Sequence, residues 1–310
     1  IALEFGLFDN LFDGSIEYYR RNSTDLLFDL PLQPSIGINV QPNNIADMYN
    51  SGFEFSLTTH AIDTDDFSWD FTALASTLKN EITSIPDPVI TGSKRWAEGV
   101  SRFDYFLRRT AGVDPDTGDQ LFFMYEFDEN NESIPVLDAD GNHETTNDWR
   151  DTERAYTGDT SIPDLIGSFQ NSLRYKGFTL DFLVTYQLGG KIIDYAYAGM
   201  MNSSSFGRSQ HPDILNAWRQ PGDITDVPRL ESGNQNQVIT LSDRFLTDAS
   251  YLSLRNLSFG YTFDNSVTEA LGVGNLSLSV TGENLLLVTK RDGLDPQYNL
   301  AGTQSGNDFN

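Results

Sequence analysis

Hydrophobic and polar residues alternate through much of the chain. From Leu257 onward, Leu257, Phe259, Tyr261 and Phe263 fall on one side, and Ser258, Gly260 and Thr262 on the other. The stretch 275–288 repeats this, with Leu276, Leu278 and Val280 opposed by Ser277, Ser279, Thr281 and Glu283. Side chains on a strand change face at every residue, so the period predicts strands with one apolar and one polar face. The same pattern marks 2–9, 14–22, 49–59, 67–80, 103–109, 121–127, 166–175 and 178–188. The reading is all-β, with about ten strands.

Short and long connections alternate between these strands. A brief Asp/Asn/Gly turn joins the first two, a hairpin signal. Loops are expected at 23–47, with Pro31, Pro34 and Pro42, and at 83–101, 128–163 and 189–247. The last holds a predicted short helix at 213–219. It also holds WRQPGDITDVPRL, too rich in Pro and Gly for a regular element.

No run of about 18 apolar residues exists, so no helix is expected to span a bilayer. A transmembrane barrel strand needs only about 9–11 alternating residues. A soluble sandwich has the same two-faced strands. Three features lean toward the barrel. Aromatics are 12% of the chain, many near strand ends where interfacial girdles sit. The strands exceed the roughly 5–6 residues usual in soluble sheets. The short-long rhythm is that of tight turns on one side of a membrane and large loops on the other.

Composition narrows the chemistry. Forty-five acidic against 20 basic residues give a net charge of -25, which argues against nucleic acid as a partner. Cysteine is absent, so disulfides, thiolate metal sites and thiol nucleophiles are excluded. His60, His143 and His211 lack metal-ligand spacing. Carboxylates are too abundant for any pair to stand out as a glycosidase couple, and no enzymatic activity is expected. The opening IALEFGLFD lies within a strand and the end, NDFN, lacks a closing aromatic strand, so the chain reads as an interior piece of a longer protein.

Several stretches resemble the C-terminal part of the SusC/RagA family of TonB-dependent outer-membrane transporters. They are YNSGFEFSLTTHAI, WDFTALASTLKNEI, AGVDPDTGDQLFF, IPDLIGSFQNSLRYKGFTLDFLVTYQLGGKIID, WRQPGDITDVPRL, SDRFLTDASYLSLRNLSFGYTF and LSLSVTGENLLLVTKRDGLDPQ, in the family's order. The resemblance implies an antiparallel transmembrane β-barrel of about 22 strands in a Bacteroidetes-type outer membrane. It implies that plug, TonB box, early strands and last strand lie outside residues 1–310. It also implies a SusD-like surface lipoprotein partner, energy from the TonB complex, and an oligosaccharide or peptide ligand. A scaffold role without transport is the alternative. By strand parity, the 175–178 and 262–275 turns are then periplasmic. The connections 23–47, 83–101, 128–163 and 189–247 and everything after Thr289 face outside.

Candidate sites follow from residue type and place. Trp96, Trp149 and Trp218 in the outer connections are candidates to stack on sugar rings or pack on the partner, packing within loops being the commoner role. Glu54, Asp70, Arg174, Asp181 and Glu283 fall on the polar, lumen-facing side. Asp138, Asp140 and Asn142, with Gly141 and Glu144, resemble a fragment of a Ca²⁺ loop without its distal bidentate glutamate; an Asp-Gly turn is the plainer reading. Asp114, Asp116 and Asp119 around Gly118 read likewise as turn residues. No other cofactor is expected.

Overall fold

A computed structural model describes residues 1–9, 11–31, 35, 37, 40–202, 207–233 and 240–298. The final stretch from 299, the tip around Pro34, and parts of the 189–247 connection lie outside the described residues. The chain divides into two compact units. The first is Ile1–Thr83, Ile162–Gly190 and Ala249–Gln297; the second takes in Ser84–Ser161 and Lys191–Asp248.

The first unit is one antiparallel sheet of nine strands. Numbered along the chain, these are β1 (Ala2–Leu7), β2 (Phe12–Pro31), β3 (Val40–Asp63), β4 (Phe67–Ser76), β5 (Lys79–Ser84), β6 (Leu165–Tyr175), β7 (Phe178–Leu188), β8 (Tyr251–Thr262) and β9 (Ser277–Thr289). Eight of them pair in sequence order, and β5 adds to β3 beside them. β4 and β6 through β9 have 10, 11, 11, 12 and 13 residues, the length a tilted strand needs to cross hydrocarbon.

Register turns the alternation into two continuous surfaces. Leu57, Ala73, Phe169, Val184, Leu254 and Leu286 stand in one row across β3, β4 and β6–β9. Phe67, Tyr175, Phe178, Tyr261 and Leu278 form another at the end of the short turns, a band rich in aromatic rings. Side chains on this face stand open: Phe53, Phe259, Leu278 and Val280 are 56, 50, 67 and 70% exposed. In a soluble sandwich these side chains would be the core. One polar group interrupts the face. Asn171, between Phe71 and Phe182, is buried and accepts a hydrogen bond from Trp69 Nε1 at 3.1 Å, which meets its need for a partner.

All turns at one end are short except the last. Residues 8–11, 64–66 and 176–177 join neighbouring strands directly. Thr262 and Ser277 are linked through a helix, α2 (Asn265–Leu271), closed by Gly272 in the left-handed region, where a plain turn was expected. In sequence, the second unit is inserted between β5 and β6 and again between β7 and β8.

Two sequence expectations need correction. The region 23–47 is largely not a loop: β2 and β3 continue as a hairpin through it, pairing Leu26 with Ala46 and Pro31 with Val40. Bulges beside Leu26 absorb the irregularity. The segments 103–109 and 121–127 do form strands, but in small sheets of the second unit, not in the large one. Removing two strands together leaves the direction of every later strand unchanged.

The second unit has its own core. Val89–Thr91, Lys94–Trp96, Asp104–Leu107 and Ala155–Thr160 make a four-stranded sheet. Tyr105, Phe106 and Leu107 are fully buried. Burial on both faces explains why this strand reads as an unbroken apolar run. Tyr105 and Leu107 pack with Ile193, Met201, Ile214 and Phe245, while Phe106 meets the rings of Phe127 and Tyr156. The helix expected at 213–219 is a 3₁₀ turn, Pro212–Asn216. An unforeseen helix, α1 (Tyr195–Met200), is capped by Asp194, whose carboxylate accepts from Tyr197 N.

Candidate functional site

The polar face of the large sheet gathers the five ionisable residues picked from the sequence. Asp70, Ser172, Asp181, Ser258 and Thr281 stand in one cross-strand row, with His60 beside Asp70. His60 Nδ1 and Asp70 Oδ1 are 2.5 Å apart, a contact the sequence did not suggest. Arg174 lies between Ser68 and Thr179, Glu283 opposite Asn256, and Glu54 opposite Glu17. The face is therefore hydroxyl-rich, with isolated charges of both signs.

In the second unit, two of the quoted stretches lock together. In AGVDPDTGDQLFF, Asp114 accepts from Asp116 N and Thr117 Oγ1, which closes the turn and holds its carboxyl below the usual range. Gly118 follows at φ +75. In WRQPGDITDVPRL, Trp218 donates Nε1–H to Pro115 O at 2.9 Å, and its ring covers Gly118 so closely that a Cβ there would sit 2.4 Å from it. Gly222 N donates to Pro115 O, Arg229 N to Gly118 O, and the Arg229 guanidinium pairs with Asp119 at 3.1 Å. Beyond the lock, a groove of about 540 Å³ is lined by Gln210, Ile214, Leu215, Trp218, Arg229 and Leu230. Trp218 therefore serves the fold and also lines an open groove.

The other two tryptophans are engaged locally. Trp96 donates Nε1–H to Arg102 O at 3.1 Å, with the Arg102 guanidinium 4.8 Å from its ring. Trp149 lies under the Arg108 guanidinium, at 4.5 Å. The three indoles are not brought to one point.

The stretch 138–144 is a closed turn. Asp138 accepts from Asp140 N, Asn142 N and Asn142 Nδ2, and these bonds hold its carboxyl below its usual range. The Asp138 oxygens that would ligate Ca²⁺ thus satisfy the turn's own donors. Among the described residues, no group of three or more His, Asp or Glu side chains is arranged to hold a metal ion.

Two buried polar clusters escaped the sequence reading because their partners are distant in the chain. Asp243 accepts from Arg109 Nε at 2.8 Å, Thr110 N at 2.9 Å and Thr110 Oγ1 at 2.6 Å. Lys94 is buried with Nζ over the Tyr105 ring, donating to Phe103 O and to Ser161 Oγ. Burial brings its amine down to about 7, against the partial opposition of Asp104.

No family model matches the chain. It is 30% identical to TonB-dependent receptor P3 of Formosa agariphila, over 96% of this chain and 30% of that receptor. It is 26% identical to TonB-dependent receptor SusC of Bacteroides thetaiotaomicron, over 96% of this chain and 29% of SusC. Among solved structures, the RagAB peptide importer in its closed-closed state superposes with a TM-score of 0.82 and 27% identity, over 97% of this chain and 32% of that one. The chain thus spans about a third of the length of the relatives it matches. By class, then, it is a stretch of transmembrane β-barrel wall with its connecting loops. In sequence and fold it is similar to about one third of the SusC/RagA-type TonB-dependent transporters of the outer membrane.

Proposed function

We propose that this chain supplies wall, lumen lining and outer loops to an importer of large nutrients, oligosaccharide or peptide, energised through TonB. The observation that carries the reading is the apolar face across β3, β4 and β6–β9, interrupted at Asn171 and backed by a face of hydroxyls and sparse charges. Such a sheet suits acyl chains on one side and water on the other. Similarity to TonB-dependent receptors and to a peptide importer supports transport. In this reading Glu54, Asp70, Arg174, Asp181 and Glu283 line the bore, and Trp96, Trp149 and Trp218 stand in the loop unit that meets ligand. A SusD-like lipoprotein would be the surface partner. The protein binds its cargo without transforming it.

The test is uptake by cells carrying the full-length protein, with and without the TonB complex. Import should cease when TonB is removed. Cells that lose no uptake on deletion of the protein, yet lose other outer-membrane proteins, would establish the scaffold role instead.

A further inference from the structure

Arg108 and Arg154 are cross-strand neighbours of like charge. Leu107 pairs with Ala155 and Phe106 with Tyr156 in antiparallel register. One step further, Arg108 and Arg154 fall opposite each other, on the face that carries Phe106 and Tyr156. Residues directly opposite in an antiparallel pair have Cβ atoms about 4.5–5.5 Å apart, and like charges there repel.

Neither guanidinium is neutralised. Arg108 donates Nε–H to Trp149 O at 2.7 Å and stacks on that indole, and Arg154 donates one N–H to Gly92 O at 2.7 Å. Neither makes an ion pair among the described residues, although Glu153 precedes Arg154 in the chain. Contrast Arg95 in the same sheet, which is paired with Glu132, and Arg109, paired with Asp243. Burial and the Arg154 charge both push Arg108 below its ordinary value, and burial does the same to Arg154; the Glu153 carboxylate opposes each shift only in part. In a chain of net charge -25, two adjoining cations that hold backbone carbonyls yet make no ion pair among the described residues, and that Glu153 offsets only in part, leave their mutual repulsion open to relief by a further carboxylate.

We propose that the Arg108–Arg154 pair, beside the Trp149 ring, is a binding subsite for a carboxylate carried on the ligand. A planar fork matches a carboxylate with two parallel N–H···O bonds, and a carboxylate between two forks cancels their repulsion. Trp149, held by Arg108, would present a ring edge to the adjoining residue of the ligand. The subsite rests on the reading that the loop unit meets cargo, and it narrows that cargo to an acidic one. A uronic acid or the free C-terminus of a peptide would each supply the group.

The test is direct binding to the full-length protein in detergent, which needs neither TonB nor a lipoprotein. The probes are trigalacturonate against its uncharged methyl ester, and trialanine against its C-terminal amide. The wild type should prefer one acid over its neutral form by about tenfold or more, the scale of a charge-assisted bidentate contact. Which acid is preferred identifies the source of the carboxylate. Arg154→Gln and Arg108→Gln should each abolish the preference for the acid over its neutral form. Without ligand, Arg154→Gln should melt no lower than wild type, since it removes repulsion. Equal binding of acid and neutral forms by the wild type overturns the proposal, and so does a preference that survives both substitutions. Binding without import would count against the importer and leave the subsite standing.

Discussion

The indole of Trp218 roofs the backbone of Gly118, one hundred positions earlier in the chain, and hydrogen-bonds through Nε1 to Pro115 O at 2.9 Å. This contact fastens two long loops to one another. Gly118 sits at φ +75, where only glycine is at ease, and any Cβ would enter the ring. Gly118→Ala therefore combines left-handed strain of about 1–2 kcal/mol with overpacking of about 1–3 kcal/mol. Trp218→Ala removes the roof of a half-buried contact and costs about 1–3 kcal/mol. Both should open the loop unit to limited proteolysis near 112–119 and 218–230, with the large sheet still resisting heat. Unchanged cleavage in both variants would mean that the lock contributes nothing.

Asp243 gathers three donors from Arg109 and Thr110, with its side chain 17% exposed and that of Arg109 31%. Asp243→Ala leaves Arg109 Nε and the Thr110 N–H without their acceptor, although the guanidinium keeps Tyr156 O and Thr157 O, and costs about 1–3 kcal/mol. Removing both partners should cost less than the sum of the single losses. A double-mutant cycle of Asp243→Ala with Arg109→Met, read by thermal unfolding of the loop unit, checks this; strict additivity would show that the pair is not coupled.

Lys94 predicts a pH dependence with a definite sign. In the folded protein its amine titrates at about 7, and in the unfolded chain at the ordinary 10.5. Between these values the unfolded chain carries the extra proton, so unfolding takes one up and stability rises with pH across that window. Below the lower value both states are charged and the contribution is flat at its least favourable. The full swing is roughly 3–5 kcal/mol. A neutral amine still has two hydrogens for Phe103 O and Ser161 Oγ, which is why burial is tolerated. Lys94→Met should flatten the slope of stability between pH 7 and 10.5. A variant with the wild-type slope would place the titration elsewhere.

How far the sequence disclosed all this depends on how local each signal is. Alternation is local, so β4, β6, β7 and β8 could be read directly, and with them the two faces on which Glu54, Asp70, Arg174, Asp181 and Glu283 were placed. Pairing is not local. Phe103–Arg109 reads as a strand like those of the wall, yet its neighbours are Lys94–Trp96 and Ala155–Thr160. Period alone says that a segment is a strand, not which sheet it joins. Pro31 and Pro42 made 23–47 look like a loop although β2 and β3 run through it. Asn171 lies on the apolar face because Trp69, in another strand, serves it. The opposition of Arg108 and Arg154 exists only once register is known.

The sharpest test of the wall is a pair of adjacent substitutions. Phe259 and Ser258 are neighbours in β8, one in the apolar row with Leu180 and Val280, the other in the polar row with Asp181 and Thr281. A charge on the lipid side of a barrel costs about 2–4 kcal/mol near the midplane, whereas lumen substitutions chiefly tune what passes. Phe259→Arg should therefore lower the unfolding free energy of the full-length protein in bilayers by about that amount. Ser258→Arg can reach the Asp181 carboxylate across the strand pair and should leave stability within about 0.5–1 kcal/mol of wild type. The reverse order, or equal losses at the two positions, would mean that the faces have been assigned to the wrong solvents. Because a one-residue shift exchanges every side chain between lipid and water, two adjacent positions separate the two assignments with little change to the chain.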